Sequence, residues 1–255
     1  MMKRSKVLER RIDKAIEEKS SLLNNVDRAD SLKIIPLESR KNPLVLAERL
    51  QIKYDSNAIF NPVSFEVNNG DRVALVGKNG AGKSSILKLI LEKSSTGNEN
   101  ILQPTGNTNN LALVEKAEYT GTLKVANDLK ISYVSQSTEY LKGNLKEFAK
   151  KYEVEESIFK AMLVKMGFSN SEFDKDINQM SEGQKKKILI AKSISEQANF
   201  YIWDEPLNYI DILTRIQIEE AILKYKPTLI FVEHDETFIK KISTKVIELK
   251  KNIDI

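Results

Sequence analysis

The sequence predicts an α/β fold with a largely parallel sheet, and three observations support this prediction. Short apolar runs typical of buried strands alternate along the chain with longer segments of helical periodicity. A glycine-rich segment, GKNGAGKSS at 77–85, lies between one such strand and one such helix. The 255 residues are 41% hydrophobic and 30% charged, so the chain can bury a substantial core. We therefore expect one large α/β domain.

The elements of this domain begin near residue 44, where the pattern changes to short β-type runs. Runs bounded by turn residues predict strands at 44–54, 63–67, 72–76, 131–135, 200–204 and 229–232. Apolar residues at helical spacing predict helices at 84–93, 143–152, 155–167, 182–197 and 212–224. The stretch 94–110 is rich in Asn, Gly, Ser and Thr, which predicts a mobile polar loop.

The first 43 residues differ from the rest in charge and pattern. Residues 1–45 carry 11 Lys and Arg against 7 Asp and Glu, whereas the remainder is balanced, so the whole net charge of +4 lies here. Apolar residues at helical spacing, without Gly or Pro, predict a long amphipathic helix over 2–26, followed by a connector with Pro36 and Pro43. An anionic partner, nucleic acid above all, and a solvated helix of mixed charge explain this segment equally well.

The composition excludes several classes of protein. The chain contains no cysteine, which rules out disulfides, thiolate metal ligands and a cysteine nucleophile. Its longest apolar runs are far shorter than the roughly 18 residues that a membrane-spanning helix needs, and the N-terminus lacks the apolar core of a secretory signal. We therefore expect a cytoplasmic protein without membrane insertion.

The segment GKNGAGKSS has the spacing of a phosphate-binding loop. Its glycines allow successive backbone N–H groups to fold around phosphates. Lys83 can reach the β- and γ-phosphates, and Ser84 can ligate Mg²⁺. The predicted strand before the segment and the helix after it are the context that this pattern requires.

Acidic side chains follow another strand, at the edge where α/β sheets bind their ligands. Asp204 and Glu205 end the strand at 200–204 and fit, respectively, a water-mediated Mg²⁺ ligand and the residue that activates the attacking water. Gln136 and His234, the single histidine, follow two further strands. Neither residue indicates a function by itself. Together with the phosphate loop and the two acids, they predict an amide near Mg²⁺ and a histidine near the γ-phosphate.

A second anion site is predicted at MSEGQ, residues 180–184. A serine and a glycine stand where a helix begins, which suits anion binding at a helix N-terminus. Since the loop at 77–85 already provides for one nucleotide, this second site is surplus within the chain unless it faces a partner.

The order of these motifs closely resembles that of the ATP-binding-cassette ATPases over residues 44–250. The resemblance implies a P-loop fold with a helical signature subdomain at about 138–197, ATP and Mg²⁺ as ligands, and ATP hydrolysis. It implies that Tyr54 stacks on adenine and that the Walker A motif binds the nucleotide through Gly77, Asn79, Gly80, Ala81, Gly82, Lys83, Ser84 and Ser85. It also implies Mg²⁺ binding by Ser84, Gln136 and Asp204 and catalysis by Glu205, His234 and Gln136. The signature would consist of Ser181, Glu182, Gly183 and Gln184, and the D-loop would contain Asp211.

The resemblance also implies a partner for the signature residues. In this family the signature of one cassette completes the ATP site of another, so the second cassette belongs either to the same longer chain or to a homodimer. Glu182 stands where the family more often has glycine.

Within the family, the chain resembles the second cassette and second linker helix of an ABC-F protein. WDEPLNYIDI and FVEHDETFI look like the group that protects ribosomes from lincosamide, streptogramin A and pleuromutilin antibiotics. The resemblance implies a linker at 1–43, a nucleotide-binding domain at 44–255 and, at 94–118, a segment that exceeds the family pattern and has no assigned function. The candidate contacts to ribosomal or transfer RNA are Lys3, Arg4, Lys6, Arg10, Arg11 and Lys14.

Two other classes stay open at this point. One is the ATPase subunit of a transporter, which would need membrane-domain partners. The other is a DNA-repair or chromosome-organising cassette, although such proteins usually split the cassette around a long coiled coil, whereas both nucleotide motifs here lie in one short domain.

Overall fold

The computed structural model describes residues 31–54, 57–94 and 117–251, and the chain divides into two compact units. The first unit, Met1–Ser31, contains the predicted amphipathic helix and all the candidate RNA contacts, which lie outside the described residues. The second unit, Leu32–Ile255, contains the elements discussed below. Leu32 and Ile34, from the predicted connector, are buried in the core of this second unit.

The described residues form nine strands and six α-helices, numbered here in chain order. The strands are β1 (Val45–Tyr54), β2 (Asn57–Ala58), β3 (Val63–Val67), β4 (Arg72–Val76), β5 (Ala117–Val125), β6 (Ile131–Val134), β7 (Phe200–Asp204), β8 (Leu229–Val232) and β9 (Lys245–Glu248). The helices are α1 (Lys83–Ser94), α2 (Leu145–Lys151), α3 (Glu156–Lys165), α4 (Glu182–Ser195), α5 (Ile212–Tyr225) and α6 (Glu236–Ile242).

Every predicted strand and helix of this unit is present, with ends that lie within two residues of the prediction. The sequence analysis missed β2, β5, β9 and α6. The segment between α1, which continues to Ser94, and β5, which begins at Ala117, extends beyond the predicted end of the polar loop at residue 110. The intervening residues lie outside the described part of the chain, so the predicted loop stays a prediction.

A five-stranded parallel sheet in the order β6-β7-β8-β4-β9 confirms the predicted α/β class. Successive residues along its strands pack into two different cores. In β7, Tyr201 and Trp203 face one core, whereas Phe200 and Ile202 face the other. This alternation follows from the two-residue period of a strand, and it explains why all five residues of β7 are buried.

The second core joins the parallel sheet to an antiparallel one centred on β1. This strand pairs with β3 on one side and β5 on the other, and its end forms a short hairpin with β2. The register shifts between Ala47 and Leu50 in the pairing with β3 and between Glu48 and Gln51 in the pairing with β5, and Arg49, inside both intervals, has a φ of 49°. A bulge of this kind bends a strand, and it lets β1 curve over the core on its way to Tyr54.

The first core continues into helices α2, α3 and α4, which lie in sequence between β6 and β7. Their apolar faces meet around Phe159, which is fully buried and stacks on Phe148 with ring centroids 5.7 Å apart. Asn144 begins α2 by accepting a hydrogen bond from the Glu147 N–H at 2.8 Å. This helical layer therefore depends on aromatic packing for its stability.

We predict that Phe159→Ala lowers the free energy of unfolding by about 3–5 kcal/mol, because it leaves a cavity in a fully buried site. Val164→Ala is the control on the same helix, where the valine is exposed, and its effect should stay within about 0.5 kcal/mol. Urea denaturation followed by circular dichroism measures both. Equal losses in the two variants would contradict the packing described here.

Candidate active site

The loop at 77–82 joins β4 to α1 in a tight turn that requires glycine. Gly77 and Gly82 have φ angles of 149° and 87°. A Cβ atom at Gly77 would lie 2.6 Å from the carbonyl oxygen of Leu249, and one at Gly82 would lie 2.8 Å from Cδ1 of Ile59. A side chain at Gly77 would therefore push the loop away from a backbone carbonyl, and at Gly82 the positive φ itself disfavours any other residue.

The ammonium of Lys83 lies inside this loop. Its Nζ donates to the carbonyl oxygens of Gly77 at 2.9 Å and Lys78 at 3.3 Å, and the side chain is buried. A cation enclosed by a backbone loop at the start of a 12-residue helix provides the charge and the N–H donors that bind phosphate. These residues therefore fit the phosphates of a nucleotide.

The remaining loop residues divide into an exposed and a packed group. Asn79 and Gly80 are exposed, whereas Ala81 is buried and its N–H donates to the carbonyl of Lys78 at 3.0 Å. The Ser85 hydroxyl lies 3.2 Å from the hydroxyl of Tyr54, so the predicted aromatic partner of adenine lies beside the first turn of α1.

A serine and a buried carboxylate meet next to the loop. Ser84 Oγ donates to Asp204 Oδ1 at 3.1 Å, and Asp204 is only 1% exposed. Burial raises the pKa of this carboxyl to about 6, although the hydrogen bond from Ser84 acts to lower it. A hydroxyl and a carboxylate are ligands that Mg²⁺ accepts, and a cation would relieve the electrostatic cost of the buried charge. The pair therefore fits a magnesium ion.

Glu205 is held by three side chains at the end of β7. Gln136 Nε2 donates to Oε2 at 3.0 Å, Asn208 Nδ2 donates to the same oxygen at 2.7 Å, and His234 Nε2 lies 3.3 Å from Oε1. The backbone of Glu205 has a φ of 49°, in the left-handed region. Such strain is found where a side chain must be aimed, and here it orients the carboxylate toward its three partners.

Two residues of this arrangement were absent from the sequence analysis. Asn208, three residues after Glu205, contributes one of the amides. Glu233 accepts from the N–H groups of Leu207 at 2.8 Å and His234 at 3.2 Å, and burial raises its pKa. Glu233 is adjacent to His234 and Asn208 lies three residues after Glu205, and this closeness in sequence is the signal that could have indicated them.

The signature residues form the start of α4. Ser181 and Gln184 make a reciprocal cap, in which the Gln184 N–H donates to the serine hydroxyl at 3.2 Å and the serine N–H donates to Gln184 Oε1 at 2.9 Å. Ser181 and Glu182 are exposed. Within the described part of the chain, no hydrogen bond or ion pair joins 181–184 to the loop at 77–85.

The signature contacts the segment around Asp211 instead. A Cβ atom at Gly183 would lie 2.6 Å from the carbonyl oxygen of Tyr209, so glycine is required for this approach. Asp211 caps α5 and pairs with Lys187 of α4 at 2.7 Å. Burial opposes ionisation of Asp211, but the bonds from Lys187 and Thr214 outweigh it and lower its pKa to about 2.

The comparisons with known proteins identify the family. A protein-family model described as ABC transporter matches residues 60–208, which is more than half of the chain. The chain therefore belongs to the ABC transporter family, and its second unit carries the ATP-binding domain of that family. ATP hydrolysis is the general activity of this domain family.

Three relatives illustrate its place in the family. Putative ATP-binding protein YdiF of Bacillus subtilis is 29% identical over 212 residues, which are 83% of this chain and 30% of that protein. ABC transporter F family member 2 of Arabidopsis thaliana is 32% identical over 209 residues, 81% of this chain and 28% of that protein. ATP-binding protein Uup of Buchnera aphidicola is 26% identical over 220 residues, 82% and 33% of the two chains. The chain spans about a third of the length of these curated relatives.

A solved structure supports the fold. The crystal structure of the complex of archaeal ribosomal stalk protein aP1 and archaeal ribosome recycling factor aABCE1 contains a chain that is 25% identical, with a TM-score of 0.59 over 83% of this chain and 38% of that one. In the part of the chain described here, the longest helices have 14 residues, and none is long and apolar enough to cross a membrane.

We predict that Asp204→Asn stabilises the metal-free protein at neutral pH. Because the folded state raises the pKa of Asp204 from 3.8 to about 6, the native protein binds this proton more tightly than the unfolded chain does. Stability therefore falls as the pH rises from about 4 to about 6, and it stays lower above that range. The substitution removes this loss, so its advantage should grow from near zero at pH 4 to at most about 3 kcal/mol at pH 7.

Urea denaturation in EDTA at pH 4, 5, 6 and 7 measures this difference. Asp174→Asn, at an exposed carboxylate, is the control and should differ from the wild type by less than about 0.5 kcal/mol at each pH. An advantage of Asp204→Asn that does not depend on pH would contradict the prediction.

Proposed function

We propose that this chain is an ABC-F type cassette that hydrolyses ATP together with a second cassette and thereby controls binding to the ribosome. The observation that carries the proposal is the position of Glu205. Its carboxylate contacts Gln136, Asn208 and His234. Glu205 also directly follows Asp204, which forms with Ser84 the pair that fits Mg²⁺. The same sheet edge thus combines residues that fit a phosphate loop, a magnesium site and a catalytic base.

In this proposal the nucleotide binds between Tyr54 and the loop at 77–85. The tyrosine ring stacks on the adenine, the backbone N–H groups and Lys83 bind the phosphates, and Ser85 orients the tyrosine hydroxyl. Ser84, Asp204 and Gln136 would hold Mg²⁺, which neutralises phosphate charge and acts as a Lewis acid when it is bound.

Glu205 would then accept a proton from the attacking water. Its Oε2 already accepts hydrogen bonds from two amides, which leaves Oε1, with one longer contact from His234, as the oxygen that can take the proton. Positioned acids and bases of this kind contribute about 10²–10⁴-fold to a rate. His234, 48% exposed, lies where it can also contact the γ-phosphate.

The second cassette is the partner we propose for the signature. Ser181 and Glu182 are exposed at the start of α4 and are not joined to the nucleotide loop of their own unit. Next to them, around Asp211, the exposed large apolar side chains are Tyr209, Ile212, Leu213 and Ile216. An exposed anion site beside exposed apolar residues favours a protein partner that itself carries a phosphate. This partner would be a second cassette, either in the same longer chain or in a homodimer.

The ribosome is the partner we propose for the basic N-terminal segment. The relative from Arabidopsis is named as an F family member, and the archaeal protein of similar fold is named as a ribosome recycling factor. Lys3, Arg4, Lys6, Arg10, Arg11 and Lys14 would contact RNA phosphates. ATP would close the two cassettes into the form that binds the ribosome, and hydrolysis would release it. Protection from lincosamide, streptogramin A and pleuromutilin antibiotics is the most specific part of this proposal, and it rests on the sequence resemblance.

We predict that Glu205→Gln retains ATP binding but lowers turnover by about 10²–10⁴-fold, because the proton acceptor is lost while Lys83 and Ser84 remain. Lys83→Ala should weaken ATP binding itself. Phosphate release measures turnover, and a fluorescent ATP analogue measures binding. Glu139→Gln removes an exposed carboxylate outside the site and should leave both unchanged. Normal turnover in Glu205→Gln would remove Glu205 from the role of base.

We also predict that Glu205→Gln, expressed from the native locus, travels with ribosomes on a sucrose gradient of host lysate containing ATP. The double variant Lys83→Ala/Glu205→Gln is the matched control, because its weakened nucleotide binding should leave it at the top of the gradient. Recovery with salt-washed membranes would favour the transporter class, and stimulation of the ATPase by DNA would favour the chromosome class. Either result, without ribosome association, contradicts this proposal.

Drug protection has its own test. The wild-type gene should raise the inhibitory concentration of at least one of the three antibiotic classes in a susceptible host, whereas Lys83→Ala should not. Ribosome association without such a rise would retain the ABC-F assignment and remove the resistance function.

A further inference from the structure

Lys186, one turn into α4, is a lysine buried almost completely at 2% exposure. Its Nζ donates to the carbonyl oxygen of Ser135 at 2.8 Å. Lysine is among the residues least often buried, since taking an ammonium out of water is costly unless specific partners compensate for it. The position of Lys186 therefore calls for a reason beyond the packing of α4.

The carbonyl that Lys186 binds belongs to the segment that presents Gln136 to Glu205. Ser135 directly precedes Gln136, whose Nε2 donates to Glu205 Oε2 at 3.0 Å. The other end of the segment is also fixed by α4, because the Thr138 hydroxyl donates to the carboxylate of Glu182. Two hydrogen bonds, one donated by Lys186 and one accepted by Glu182, thus join the first turns of α4 to residues 135–138 on both sides of Gln136.

The charges of four carboxylates act on the ammonium. Burial lowers the pKa of Lys186 to about 8, and the charges of the facing acids, Asp204, Glu205, Glu233 and Glu182, act in the opposite direction. Among the described residues no acid forms an ion pair with Lys186, so its direct partner is the Ser135 carbonyl. Its loss would both free the Ser135 carbonyl and leave the acids without their shared counter-charge.

We propose that Lys186 is a positioning residue for hydrolysis, which ties α4 to the Ser135 carbonyl and thereby keeps Gln136 against Glu205. This inference rests on the proposed role of Glu205. Since the start of α4 carries the signature residues, Lys186 also couples the site that faces the second cassette to the base of its own nucleotide site. Glu182, in place of the more common glycine, adds the second contact of this coupling through Thr138.

The first test compares Lys186→Met with Lys192→Met. Lys192 is a matched control, because it lies on the same helix with the same 2% exposure but pairs with Glu196 at 2.6 Å. Lys186→Met should lower kcat by about 10- to 100-fold and change KM for ATP by less than about threefold. Lys192→Met should lower only the stability and leave kcat unchanged for the folded protein. Equal kcat losses in the two variants would overturn the proposal.

A double-mutant cycle with Gln136→Ala tests whether Lys186 acts through Gln136. In the Gln136→Ala background, Lys186→Met should reduce kcat by no more than about two- to threefold, because the side chain that it positions is already absent. The same fold-loss in both backgrounds would mean that Lys186 acts independently, and the proposal would fail.

A third measurement does not depend on turnover or on a stable Lys186→Met variant. The side-chain amide resonance of Gln136, identified by its disappearance in Gln136→Ala, should shift in Lys186→Met and in Thr138→Val but not in Lys192→Met. Thr138→Val should also lower kcat by about two- to tenfold, because residues 135–138 lose one of their two hydrogen bonds to α4. An unchanged Gln136 resonance in Thr138→Val would overturn the inference. Normal turnover in Glu205→Gln would instead refute the proposed function. In that case the Gln136 resonance would still test whether α4 positions Gln136.

Discussion

The register of the parallel sheet is the constraint on which the rest of this structure depends. Trp203 pairs with Val134, and Asp204 pairs with Val232, which in turn pairs with Leu75. Because parallel strands end at the same edge, this register places the loop at 77–82, Gln136, Asp204 and His234 side by side although they are far apart in the chain. A change in the register of one strand would separate the candidate base from the phosphate loop.

The sheet is held to α4 by polar groups that are buried with their partners. The Trp203 indole N–H donates to Ser193 Oγ at 2.9 Å, and Ser132 Oγ lies 2.7 Å from the same hydroxyl. Burial raises the pKa of Glu196 and lowers that of Lys192, and their ion pair opposes both changes. Such a network adds little net stability, but each of its groups would be costly without its partner, so it fixes one position of α4 against the sheet.

The sequence predicted the elements that have a strong local signal and missed those without one. The β7 strand, with five buried residues, and α4, with its serine cap, were predicted with nearly correct ends. By contrast, β5 and β9 contain several polar residues, and their strand structure depends on pairing with β1 and β4. The alternation of apolar and polar residues in β5 is interrupted by Gly121, and β9 has only four residues, so both strands carry a weak local signal.

The candidate site divides in the same way. The spacing of GKNGAGKSS, the acids after an apolar strand and the serine before a helix indicated the phosphate loop, Asp204 and Glu205, and the signature, because these features depend on residues adjacent in sequence. Only the tertiary structure decided that Asn208 shares Glu205 with Gln136, that Glu233 anchors the neighbouring loop, and that Lys186 is buried. These three roles depend on which side chains meet when the strands and α4 pack, and packing between distant segments is not encoded in local spacing.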